Sequence, residues 1–196
     1  MRAPRSYDAA ELRELAGKPP AIELAERVRR RAARRGAHVA HLAERRDALI
    51  AAIYALATPR GWFSAWCDGS VSRMPGGCAG VGVVVMDPKG QVVARVAQPL
   101  AGADPFAAEI AALAAALNAG LAAGAACLCA YTDCRALAQL WGAKRLDPRL
   151  ETVRAGAHRL RRFRIHAIPR GHNQAAHALA RAAVQLGAGP GASRQA

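Results

Sequence analysis

The sequence predicts an α/β fold over residues 61–187, preceded by a basic helical extension over residues 1–60 and followed by a flexible tail over residues 188–196. Three observations carry this. Up to Ala57 the apolar residues recur at helical spacing, whereas from Trp62 they alternate or run in short blocks bounded by turn residues, as strands do. Beyond Asp104, Leu/Ala-rich segments of helical length interleave with short strand-like blocks. The resulting order, β-β-β-α-β-α-α-β-α, is that of a sheet covered by helices.

In the extension, a short helix is expected over residues 8–16, ended by Gly17-Lys18-Pro19-Pro20. Residues 21–57 read as helix with a break at Gly36. Val39, Leu42, Leu49, Ile53 and Leu56 form one apolar stripe. That stripe serves equally to cover the second domain or to form a homodimer seam through residues 21–57. Arg29, Arg30, Arg31, Arg34 and Arg35 form a basic cluster, either a phosphate-gripping arm or a solvated helix face. Thr58-Pro59-Arg60-Gly61 is the linker.

In the second domain, residues 62–68 read as a strand, residues 80–87 as a second and residues 91–97 as a third. The turn Asp87-Pro88-Lys89-Gly90 joins the last two into an antiparallel meander. Asp104-Pro105 opens a helix to about Ala123. Residues 127–132 are a fourth strand, and Asp133 starts a short helix to Trp141. Residues 148–160 form another helix, 164–168 a fifth strand and 173–186 the last helix.

Composition narrows the function. The 196 residues allow one full-sized domain plus an extension. Twenty-eight Lys and Arg against 14 Asp and Glu give +14, which points to a polyanionic partner, nucleic acid ahead of an acidic membrane surface. An Ala/Arg-rich composition alone produces the same sign. Aromatics are only 5%, so the core must be built from small aliphatics. The charge-free stretch 110–130 is interrupted by Asn118, Gly120 and Gly124 and is not read as a membrane span. The N-terminus has no apolar stretch of the kind a secretory signal needs. Five cysteines, an odd number, suit reduced thiols in a cytoplasmic protein, and the lack of a C-x-x-C pair argues against zinc.

The second domain holds seven carboxylates. Asp87 sits in a turn, Asp104 can cap a helix, and Asp147 and Glu151 flank a helix start. Glu109 stands apart as the only charged residue between Pro105 and Tyr131, at the edge of the stripe Phe106, Ile110, Leu113 and Leu117. A carboxylate pressed towards a core is costly unless it is paired or binds a metal, and its own helix offers no cation. Asp68 lies near the end of the first strand and Asp133 at the end of the fourth. Two strand-end carboxylates and one on a sheet-covering helix can converge at one end of the sheet. Such a cluster calls for a divalent cation, and all-oxygen ligation favours Mg²⁺ or Mn²⁺.

Four motifs occur in order on these elements: Cys67-Asp68-Gly69-Ser70 before a Gly-rich meander, Ala107-Ala108-Glu109 opening a Leu/Ala helix, Tyr131-Thr132-Asp133-Cys134, and Asn173-Gln174-Ala175-Ala176-His177-Ala178-Leu179-Ala180. In these, residues 62–186 resemble the type 1 ribonuclease H domain family, including its short reverse-transcriptase-like members. The resemblance implies a ribonuclease H-like five-stranded mixed sheet flanked by helices. It also implies metal-dependent hydrolysis of the RNA strand of RNA–DNA hybrids. Asp68, Glu109 and Asp133 match three of the family's four metal-binding carboxylates. In the two-metal arrangement Asp68 bridges both ions. His177 stands where the family usually has Asp, so it is expected either to ligate a softer ion such as Mn²⁺, to leave its place to water, or to mark a degraded site that binds nucleic acid without cutting it. His172, in a loop shorter than the family's, is the expected general base or proton carrier. The basic run Arg159–Arg164 or the cluster at residues 29–35 is expected to add substrate affinity.

Overall fold

The computed structural model describes residues 20–34, 40–72, 77–143 and 147–187. The expected helix over residues 8–16, the break at Gly36, Val39, Arg35 and the tail over residues 188–196 lie outside the described residues. The chain divides into two units between Arg60 and Gly61.

In the first unit, α1 (Pro20–Arg34) starts on Pro20, whose missing N–H loses nothing in a first helical turn. It lies against α2 (Ala40–Ala57). Leu24, Ala25, Ile50, Ile53 and Tyr54 are buried. Of the expected stripe on α2, Ile53 is buried but Leu49 is 52% exposed, and among the described side chains Ile50 and Tyr54 are the ones buried with Ile53; Leu42 lies outside the described side chains. Ile50, Ile53 and Tyr54 sit at i, i+3 and i+4, one helical face that admits Tyr54 and excludes Leu49. Within the basic cluster, Glu26 pairs with Arg29 (2.5 Å) and Arg30 (3.1 Å) along α1. Such surface helix pairs contribute only about 0.3–0.5 kcal/mol each.

The second unit is a five-stranded mixed sheet in the order β3-β2-β1-β4-β5. β1 (Phe63–Val71), β2 (Ala79–Met86) and β3 (Val92–Leu100) form the antiparallel meander, and β4 (Cys127–Thr132) and β5 (Arg162–Ala167) run parallel to β1. β1 and β3 run three residues further than expected, because pairing with β2 continues to Val71–Ala79 and Leu100–Ala79. Four helices accompany the sheet: α3 (Pro105–Ala122), α4 (Arg135–Gly142), α5 (Glu151–Ala157) and α6 (Gln174–Gly187). The helix expected over residues 148–160 is instead a 3₁₀ turn, Pro148–Leu150, followed by α5. Asp104 and Asp147 cap α3 and that turn, accepting from the N–H groups of Ala107 (2.8 Å) and Arg149 (3.0 Å). Asp87 closes its turn by accepting from Lys89 and Gln91.

β2 is buried along its whole length, which its uninterrupted Gly/Val run suits. Val81, Val83 and Val85 join the core with Leu113 and Leu117 of α3, Leu128, Leu137, Leu150 and Val153. Period-two alternation turns Gly80 and Gly82 to the opposite face, where α6 crosses. The helix comes so near that a Cβ on Gly82 would collide with the backbone of Ala176 and Ala180. α6 meets the strand with Ala176, Ala180 and Ala183, all fully buried. α3 is long and apolar enough to cross a membrane by length and composition, but it lies on β1 and β2 and buries Ala108, Ala112, Leu113, Ala116, Leu117 and Gly120.

At the sheet edge, Arg162, Arg164 and His166 of β5 are exposed and alternate with half-buried Phe163, Ile165 and Ala167. The Arg164 guanidinium lies 5.0 Å from the centre of the Trp62 ring.

The close approach of α6 makes glycine obligatory at position 82. Gly82→Ala is expected to destabilise the protein by about 1–3 kcal/mol or more through overpacking against backbone. Gly142→Ala, where an added Cβ meets nothing within 4 Å, is expected to stay within about 0.5 kcal/mol of wild type. Urea unfolding of the full chain measures both.

Candidate active site at the end of the β1–β4 seam

Strand register brings two of the expected carboxylates together. Parallel pairing of β1 with β4 runs from Phe63–Leu128 to Trp66–Tyr131. Asp68 and Asp133 each lie two residues beyond that last pair, so they emerge side by side where β4 leaves the sheet. Asp68 is not at the end of β1, as expected, but inside it, opposite Gly82 of β2. Only its pairing on the β4 side has stopped. Asp133 does not cap α4 either. Cys134 occupies that position and makes no side-chain cap.

Glu109 arrives from α3. The helix passes so close to β1 that a Cβ on Gly69 would collide with the backbone of Ala108 and Glu109. Gly69 is thus more than the turn former that Asp-Gly suggests, since its bare Cα lets the Glu109 carboxylate reach the strand. The Gly69 N–H donates a hydrogen bond to that carboxylate. Glu109 Oε2 is buried without a hydrogen-bond partner.

Two side chains that precede or belong to α6 complete the corner. Asn173 is 1% exposed. Its amide nitrogen donates to the carbonyl of Cys67 (2.9 Å) and to Asp133 Oδ1 (2.7 Å), tying the diverging strands together. His177 Nδ1 lies 2.9 Å from Asp68 Oδ2. His177 Nε2 in turn lies 3.4 Å from Arg170 Nη2.

The electrostatics are those of crowded anions. Burial, followed by the charges of Asp68 and Asp133, pushes Glu109 up to about 8, against the opposing Gly69 N–H and the Arg170 charge. Burial also lifts Asp68 above the usual carboxylate range, with the His177 hydrogen bond opposing and Asp133 adding to the shift. The Cys67 thiol is driven well up by its complete burial and by the surrounding carboxylates. Asp68 and Asp133 thus make Glu109 harder to ionise, and Asp133 does the same to Asp68, which is what a cation relieves.

Among the described residues no three Asp, Glu, His or Cys side chains stand in an arrangement ready to hold a metal ion. Asp68 Oδ2 is engaged by His177, and Asp133 Oδ1 by Asn173. The residues nevertheless fit a hard divalent cation. The donors are all carboxylate oxygens, they repel one another, and Glu109 Oε2 is buried and orphaned. A cleft of about 890 Å³ opens beside them, lined by Ser70, Phe106, Glu109, Arg170, His177 and Arg181 among others.

The structure brings Asp68, Glu109, Asp133 and His177 into one corner. His172 lies in a 3₁₀ turn, Arg170–His172, immediately before Asn173, and is 5% exposed. Sequence reasoning missed two residues of the corner. Asn173 stands in the sequence only as the start of the last motif, whereas its side chain bonds across the sheet. Arg170 carried no signal beyond adjacency to the motif.

The family model described as "Reverse transcriptase-like" matches residues 66–183. The chain belongs to this family, and its sheet is ribonuclease H-like. A ribonuclease H1 of the archaeon Halobacterium salinarum is 31% identical with a TM-score of 0.57, over 64% of this chain and 98% of that one. The N-terminal ribonuclease H domain of a Mycobacterium tuberculosis protein is 28% identical with a TM-score of 0.57, over 64% of this chain and 95% of that one. A compost-derived ribonuclease H1, solved with an RNA/DNA hybrid, shares the fold at 21% identity with a TM-score of 0.57, over 63% and 97% of the two chains. A search of curated proteins found no match. Family and fold together support a nuclease-type function related to nucleic-acid duplexes.

Asn173 is the fastener of the corner. Asn173→Ala leaves the Cys67 carbonyl and one Asp133 oxygen without their donor, and is expected to cost about 1–3 kcal/mol in urea unfolding.

Proposed function

We propose that this protein is a divalent-cation-dependent endonuclease that hydrolyses the RNA strand of RNA–DNA hybrids. The observation that carries the reading is the convergence of Asp68, Glu109 and Asp133 at the end of the β1–β4 seam, in a ribonuclease H-like fold. Mg²⁺ or Mn²⁺ held by these three carboxylates would activate a water and stabilise the leaving 3′ oxygen. The chain's own groups do the rest. Asn173 holds Asp133 to β1, so that its other oxygen stays in place. Gly69 admits Glu109 and orients it with its N–H. Arg170 and Arg181, both exposed on the cleft, are placed to meet phosphate oxygens of the substrate strand. The rim is basic and the floor acidic, so a polyanion is drawn in although the floor alone would repel it.

Affinity in this reading comes mainly from backbone charge and duplex shape, with the 2′-hydroxyl marking the RNA strand. Arg159, Arg161, Arg162 and Arg164, all exposed, are further phosphate contacts. A reducing, cytoplasmic setting suits the five cysteines, all free thiols.

One observation favours a second reading, a nucleic-acid-binding module with a degraded metal site: His177 occupies an oxygen of Asp68. Cleavage of an end-labelled hybrid, with Mg²⁺ and with Mn²⁺, separates the two. Asp68→Asn is expected to lower the cleavage rate by about 10³-fold or more, since cation-borne stabilisation is worth several kcal/mol. Undiminished cleavage in that variant overturns the nuclease reading. Salt-sensitive hybrid binding by the wild type, with no cleavage at any concentration of either metal, supports the second reading.

A further inference from the structure

Asp68 presents its Oδ2 to an imidazole. His177 Nδ1 lies 2.9 Å from it, and on the far side of the ring Nε2 lies 3.4 Å from Arg170 Nη2. A guanidinium has donors only, so Nε2 is the acceptor there. One tautomer satisfies both contacts: the hydrogen on Nδ1 donates to Asp68, and Nε2 receives from Arg170. The row running outward from the strand is therefore carboxylate, imidazole, guanidinium.

Arg170 is held where this row needs it. Its carbonyl accepts from the Gln174 side chain (2.8 Å) and from the Asn173 N–H (3.1 Å), which anchors its backbone to the start of α6. Its guanidinium charge also acts on Glu109. One fixed positive charge thus borders the carboxylate corner on the side of residue 177. A cation bridging Asp68 Oδ2 and residue 177 would have to displace a hydrogen-bonded ring and stand beside that charge. The other side of the corner is different. Glu109 Oε2 is buried without a partner, and among the described residues no basic side chain is hydrogen-bonded to Glu109 or Asp133.

We propose that the site takes a single divalent cation, held by Asp68, Glu109 and Asp133, and that the His177 ring, backed by the Arg170 charge, closes the side of Asp68 on which a second cation would otherwise sit. This deepens the nuclease reading, and rests on it for the identity of the carboxylates as ligands. It gives His177 the role of covering Asp68 Oδ2 and Arg170 that of holding the ring and adding charge beyond it.

The test is Mn²⁺ binding by the full-length protein, followed by electron paramagnetic resonance of free Mn²⁺ and by the Mn²⁺-induced rise in Tm. The wild type is expected to bind one Mn²⁺ per chain, lost in Asp68→Asn. The double variant Arg170→Ala/His177→Asp is expected to bind two, and Arg170→Lys/His177→Asp to hold the second more weakly than the double variant does. Arg170→Ala alone, which leaves the ring in place, is expected to tighten the single Mn²⁺ severalfold by removing a like charge. It tests the idea even if the double variant does not fold. Two ions of similar affinity in the wild type, a double variant that folds but still binds one, weaker binding in Arg170→Ala, or no Mn²⁺ lost in Asp68→Asn would each overturn the proposal. Hybrid cleavage is read separately. One bound Mn²⁺ without cleavage sinks the nuclease reading and supports this one, while two with cleavage does the reverse.

Discussion

Crowding of three carboxylates at one corner is the constraint around which this domain is built. Burial raises the cost of ionising Asp68 and Glu109, Asp133 adds to it at Asp68, and Asp68 and Asp133 add to it at Glu109. Folding must therefore hold them together against their own electrostatics. It does so with small, rigid devices. Parallel pairing sets Asp68 beside Asp133. A glycine lets a helix backbone press against a strand. A buried asparagine spans the gap where the strands part. None of these is a large hydrophobic contribution. The core of small aliphatics on the other side supplies that, and so keeps the corner polar without loss of stability.

The alanine and glycine content has a mechanical meaning in this light. α6 carries both the imidazole that meets Asp68 and the alanines that lie on β2. Its distance from the sheet is set by Gly80 and Gly82 against Ala176, Ala180 and Ala183. Larger side chains at that contact would lift the helix and with it His177. The small-residue composition is thus coupled to the site geometry, and is not only a reflection of base composition.

Much of this was legible in the sequence, for physical reasons that differ residue by residue. Glu109 stood out because a lone charge in an apolar helix must be satisfied by something. The strands were legible because alternation and turn residues are local signals, and Asp104, Asp147 and Asp87 make the caps and turn that their positions foretold. What failed was whatever depends on a partner distant in sequence. Asp133 by itself reads as no more than the start of a short helix, and its place beside Asp68 depends on the pairing of β4 with β1. Asn173 reads as the start of a motif, because nothing local reveals a carbonyl on β1 waiting for its amide. The stripe on α2 was misplaced by one position because Tyr54 was not counted as apolar. Arg170 was invisible because its role exists only across the gap to His177 and Glu109.

The outer strand β5 has a consequence of another kind. Among the described residues its outer backbone edge has no partner strand, and such an edge is a template for pairing with another chain. Arg162 and Arg164 are exposed on alternate residues of that strand, on one face beside the edge. Two molecules trying to join there would bring rows of guanidinium groups into opposition, so the same side chains that favour a polyanion also act as gatekeepers against self-association into fibrils.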